Sequence, residues 1–177
     1  MSTDKLKYPI GTFKVPSKIS TAMLRKSMDT LEDFPYEIER TIEGLTDKQL
    51  DTVYRPGGWT IRQVIHHLAD SHMNAYMRFK LALTENTPII KPYLQDYWAL
   101  LPDGKKLPAE ISIQILKGVH TRWIYMLHLM PLDEFDRSFY HPEKHRTVTI
   151  KEALLSYAWH GAHHLAHIVE LKKRKGW

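Results

Sequence analysis

Residues Thr149 to Lys173 read TIKEALLSYAWHGAHHLAHIVELKK, and their spacing decides the fold. Thr149 followed three positions later by Glu152 is the capping-box pattern that opens a helix. Behind it runs an apolar stripe at helical period. With His160 set at zero and about 100° per residue, Ala153 and Leu171 lie near 20°, Tyr157 near 60°, and Ile150 and Ile168 near 80°. His164 falls inside the stripe at roughly 40°. His167 sits at about −20°, and His163 near −60° on a polar shoulder with Glu152, Ser156 and Glu170.

Four of the eleven histidines of the chain therefore share one helix. The pairs His160/His164 and His163/His167 both have i, i+4 spacing and both could chelate on distance alone. Only His160 and His164 point squarely inward, where two ring nitrogens could share one ion at about 2.0–2.1 Å each. The competing reading is a pair of core histidines satisfied by hydrogen bonds, which would need two sets of buried partners.

Working outward, three more helical patterns appear. One runs from about Ser20 to Glu43 and is expected to kink or break at Pro35. Another opens at a second capping box, Thr60 with Gln63, and runs to about Thr84. The third starts near Pro108 and stops before Pro131. Residues 85–107 hold three prolines and a glycine and read as a long loop, with a helical turn near 93–100. Residues 136–148 read as a short hairpin, and residues 1–19 as an extended arm. Residues 20–177 are then one metal-binding domain: all-α, a four-helix bundle with long connections and one hairpin.

The helix after Thr60 supplies a third ligand candidate. Its stripe is Ile61, Val64, Ile65, Leu68, Ala75, Phe79, Ala82 and Leu83. Against that stripe His66 points backwards with Met73 and Met77, while His72 sits centrally and reads as a packed, hydrogen-bonded residue. His67 lies on the border, in a polar file of Gln63, His67, Ser71, Asn74 and Arg78. Such a file beside a core is expected to form a pocket wall. His67, His160 and His164 are accordingly the candidate metal ligands, and Gln63, Ser71, Asn74 and Arg78 the candidate substrate-binding residues.

Composition narrows the chemistry. The chain has 177 residues, 43% hydrophobic and 25% charged, as expected of one globular domain. It contains no cysteine, which excludes disulfides, zinc–thiolate sites and cysteine nucleophiles. Three neutral imidazoles suit one divalent zinc or nickel ion and leave a position open to water. Gly161 stands where a zincin would carry Glu after its first histidine, so the metalloprotease motif is absent. No general base is assigned; Asp70 and Glu170 are candidates, set against the stronger reading of both as solvated surface charges. His120, His128, His141 and His145 read as structural, although His141 could overhang a site.

The formal charge of +5 raises a nucleic-acid partner, but its densest run, Lys172 to Lys175, falls where cations favour a helix end. Nucleic acid and membrane are not expected partners, and the absence of a targeting pattern leads to a cytoplasmic expectation.

The segments GGWTIRQVIHHLADSHMN and WHGAHHLAHI, with YPIG, YMRFKLALTE, FYHP and the terminal GW, resemble the DinB-like superfamily and its YfiT-type branch. The resemblance implies a four-helix bundle with one divalent metal on the histidine before LAD, here His67, and on the H-x-x-x-H pair, here His160 and His164. It also implies a homodimer and a metal-dependent hydrolase acting on a small molecule. Thiol S-transferases that use bacillithiol or a similar low-molecular-weight thiol are the alternative it carries, and a non-catalytic metal-stabilised module is a third. Many broader relatives follow the last ligand with Arg-Gly-Gln; LAH follows His164 here, so roles of that tail are not transferred.

Overall fold

The computed structural model describes residues 3 to 177. Four long helices form the bundle: α1 (Thr21–Ile42), α2 (Ile61–Thr84), α3 (Ala109–His128) and α4 (Ile150–Lys175). Helix α1 packs against α3 and α4, and α2 packs against the same two. The sequence neighbours α1/α2 and α3/α4 therefore lie on diagonals. Diagonal placement needs long connections, and the chain supplies them. Residues 43–60 carry the short helix Asp47–Leu50 across one end. Residues 129–149 include β1 (Ser138–His141) and β2 (Arg146–Thr149), paired antiparallel with Phe139 opposite Val148. The hairpin turns at His145, whose φ of 49° is left-handed.

Helices α2 and α3 are adjacent, yet 85–108 is also long. That extra length is pinned to β1 through Ile90 N–H to Tyr140 O and Tyr140 N–H to Pro88 O, at 3.1 and 2.9 Å. It then makes the short helices Gln95–Trp98 and Pro102–Lys106. The Gln95–Trp98 turn was expected; the second was not.

Three expectations change. Of the kink or break expected at Pro35, the break does not occur: α1 runs through it, and His120 of α3 meets the Leu31 carbonyl that the proline leaves without a donor. The N-terminal arm is not extended throughout: Thr3–Lys7 is helical, and the chain becomes irregular only after it. Finally, only half of the capping box at Thr149 forms. Thr149 Oγ1 accepts from Glu152 N–H, but the Glu152 carboxylate turns to both guanidinium Nη atoms of Arg146. The box at Thr60 and Gln63 is complete.

Three of the four basic residues at the end of α4 are engaged within the fold. Lys172 Nζ donates to Thr41 O and Arg174 Nη2 to Tyr54 O, each at 2.6 Å, and Lys173 pairs with Glu170 at 2.8 Å. Two apolar clusters fill the bundle, one around Trp123, Phe79 and Leu154, the other around Phe34, Ile65 and Leu116. No helix among the described residues is long and apolar enough to cross a membrane.

Candidate metal centre

Where the two clusters meet, the bundle is lined with imidazoles instead of aliphatic side chains. His67 of α2 and His160 and His164 of α4 each offer a ring nitrogen, and these atoms all lie within 4.8 Å of one another. The Nε2 atoms of His67 and His160 are 3.3 Å apart. Two nitrogens at about 2.0–2.1 Å from one tetrahedral ion would be separated by about that much. His164 Nδ1 is buried and has no hydrogen-bond partner. A divalent cation fits this donor set, and among the described residues no other group of three His or carboxylate side chains converges in this way.

Local sequence explains why the rings hold still. His160 and His164 sit one turn apart on α4, with ring centroids 4.6 Å apart in an edge-on arrangement. Gly161 has no side chain because Phe34 of α1 occupies its place; a Cβ there would lie 3.0 Å from the Phe34 ring. Trp59, the residue before the Thr60 cap, covers the ligand rings, its centroid 4.7 Å from His67 and its plane within 11° of His164.

Burial sets the charge state. Desolvation pushes His67 down to about 4, and His160 and His164 well below the usual histidine range. All three are therefore neutral imidazoles at pH 7. The same cause lowers His120 and His167 to about 4. In each of these residues the folded value lies below the unfolded value of about 6.5, so the unfolded chain binds more protons in acid. Their contribution to stability is complete above pH 6.5 and is lost as pH falls toward 4. At pH 5 the loss is roughly 2 kcal/mol for each of His67, His120 and His167. Urea unfolding of metal-free protein is expected to shift to markedly lower denaturant between pH 7 and 5; an unchanged midpoint would show that these rings are already solvated.

Two cavities flank the centre and share His160, Gln95 and Asp96 in their walls. The larger, about 490 Å³, includes Ser71, Arg78, His141, Lys144 and Tyr157. The smaller, about 330 Å³, includes Tyr8, Trp59, Trp159 and all three candidate ligands.

The expected substrate wall divides. Ser71 and Arg78 face the larger cavity, and Arg78 Nη1 donates to Tyr157 Oη at 3.0 Å. Gln63 and Asn74 do not line it. Gln63 is committed at both ends, its Oε1 accepting from Thr60 N–H and its Nε2 donating to Ala99 O at 2.7 Å. Asn74 Nδ2 donates to Asp70 O within its own helix at 2.9 Å.

Several other placements differ from expectation. His66 is buried, with Nδ1 2.7 Å from Ser112 Oγ and Nε2 3.0 Å from Leu107 O, because α3 and the segment before it cover that face of α2. His163 is buried too: it stacks on Trp159 at 4.6 Å and lies 6.1 Å from Tyr8 of the arm. Asp70 is half-buried, and desolvation aided by Asp103 raises its carboxyl to about 6, unlike a solvated surface charge. Lys144, Tyr93 and Tyr157 are cavity residues that the sequence pattern did not mark. Tyr157 alone gave a signal, its inward angle on the α4 stripe.

Comparison with known proteins agrees with this architecture. Residues 30–168 match the sequence profile of the DinB superfamily. The chain is 47% identical to the "Putative metal-dependent hydrolase YfiT" of Bacillus subtilis, covering 100% of this chain and 99% of that one. It is 49% identical to a Bacillus cereus protein named "Putative metal-dependent hydrolase", over 97% and 98% of the two chains. The solved structure of Bacillus subtilis YfiT, described as "a probable metal-dependent hydrolase with an unusual four-helix bundle topology", superposes with a TM-score of 0.95 over 98% of this chain and 99% of that one.

Proposed function

This chain belongs to the DinB superfamily, and on that footing we propose that it is a metal-dependent hydrolase of a small molecule, with one zinc or nickel ion on His67, His160 and His164. The observation that carries the reading is the convergence of three neutral imidazoles beside a cavity of about 490 Å³, a volume suited to a small ligand. An ion so held would supply Lewis acidity and would favour ionisation of water near neutral pH.

The residues of the chain do the rest. Arg78, braced by Tyr157, and Lys144 are the cations of the larger cavity and suit a substrate bearing a carboxylate. Tyr157 and Phe139 give that cavity its apolar wall, and Trp59 shields the ligand rings from bulk water.

The smaller aromatic compartment on the other side of His160 favours a second reading, a thiol S-transferase that brings a low-molecular-weight thiol and an electrophile to one ion from two sides. One assay separates the two. Zinc- or nickel-loaded protein is incubated with carboxylate-bearing esters and amides and with an electrophile, with and without bacillithiol. Hydrolysis that needs metal but no thiol supports the first reading; conjugation that needs both supports the second. Neither reaction across the panel sinks the enzyme reading.

A further inference from the structure

Pro35 has no amide hydrogen, so the carbonyl of Leu31, four residues earlier in α1, has no helical donor. His120 of α3 fills the gap, its Nδ1 2.5 Å from that oxygen. A carbonyl only accepts, so Nδ1 carries the proton, and in a neutral imidazole Nε2 is then an acceptor. His120 Nε2 lies 2.8 Å from Nδ1 of His72, which is consequently the donor. The step repeats: His72 Nε2 is left to accept, and Nδ1 of His160 lies 3.3 Å from it. His160 thus holds its proton on Nδ1 and its lone pair on Nε2, the atom that faces Nε2 of His67.

From this chain of contacts we infer that His120 and His72 are positioning residues of the metal centre, which, anchored on the Leu31 carbonyl that Pro35 leaves free, fix the tautomer of His160 so that Nε2 is presented to the ion. The inference rests on the reading of His67, His160 and His164 as ligands. It assigns a task to two histidines that touch no ion.

The surroundings suit a directional chain. His72 and His120 are 0% and 2% exposed, and water does not compete for their nitrogens. Burial keeps both neutral, as one-way donation requires. Phe34 stacks on both rings, at 5.3 and 5.8 Å, and Trp123 meets both edge-on, so neither ring can turn over without displacing a core aromatic. If His120 could not accept, the Nδ1–H of His72 would be buried and unpaired. Moving that proton to Nε2 would relieve it, but His160 Nδ1 would then have to accept. The His160 proton would move to Nε2, onto the nitrogen the ion needs.

Nitrogen-15 NMR of the imidazoles in metal-free protein at pH 7 tests this. His72, His120 and His160 are expected in the Nδ1–H form. His120→Phe keeps a ring but no nitrogen; it is expected to move His160 toward the Nε2–H form and weaken zinc binding about 10–100-fold. His120→Gln, whose amide keeps one donor and one acceptor, is expected to retain most of the affinity. An Nε2–H form of His160 in the unaltered protein overturns the inference, and so does a His160 tautomer that His120→Phe leaves unmoved. If His120→Phe does not fold, the spectrum of the unaltered protein decides alone. Failure of the metal reading is separately visible, as an unaltered protein that takes up no zinc whatever its tautomers.

Discussion

Zinc uptake is expected to weaken about 10²–10³-fold in His160→Ala, and to a similar degree in His67→Ala and His164→Ala. The magnitude follows from apparent affinities of roughly 10–16 kcal/mol for zinc sites with four protein ligands, of which one ligand carries about 3–4 kcal/mol. The three nitrogens converge within 4.8 Å, and no fourth His or carboxylate joins them among the described residues, so nothing stands ready to replace a lost one. His163→Ala is the matched control: it lies on the same helix and is equally buried, but its ring is stacked on Trp159 outside the trio. It should keep full uptake. His72→Ala should still take up one equivalent at high zinc, with the 10–100-fold loss expected of a residue behind a ligand. Titration of the five variants with metal analysis of each separates ligands from supports. Undiminished affinity in His160→Ala would overturn the ligand assignment.

Phe34→Ala is expected to be the most damaging single change to stability, about 3–5 kcal/mol. The ring is 1% exposed, lies against Gly161 on α4 and stacks on both His72 and His120. Removing it opens a hole where two polar rings rely on an apolar wall, and water admitted there would compete for their hydrogen bonds. The loss should shift the urea midpoint of metal-free protein by about 1–3 M. Working without metal keeps binding from masking the change by mass action. A shift under about 0.5 M would mean that the neighbouring side chains close the gap.

The parts legible in the sequence were those that one helix states about itself. The angle between His160, His164 and the α4 stripe, the complete cap at Thr60 and Gln63, and the polar file through His67 and Arg78 all depend on periodicity within a single element. The parts that were not legible depend on what another element does to that face. A helical wheel gives His163 a polar shoulder, but the arm brings Tyr8 over it. It turns His66 away from the α2 stripe, yet α3 and Leu107 close over that side. Gln63 looks like a wall residue until its amide is seen tied to Ala99, and the hairpin delivers Lys144 to the cavity wall shared with Arg78, 66 positions earlier in sequence. Pro35 is the sharpest case. Local rules read it as a kink or a break, because the donor that rescues the Leu31 carbonyl is 89 residues downstream.

That proline has a consequence for anyone engineering a more robust version of this protein. A mid-helix proline is a standard target, since alanine is favoured over it by roughly 3 kcal/mol in a helix interior. Pro35→Ala would return an amide to the Leu31 carbonyl and set it in competition with His120. The variant selected for heat tolerance would then be expected to bind zinc less tightly, because helix strength at this position competes with the inferred hydrogen-bond chain to His160.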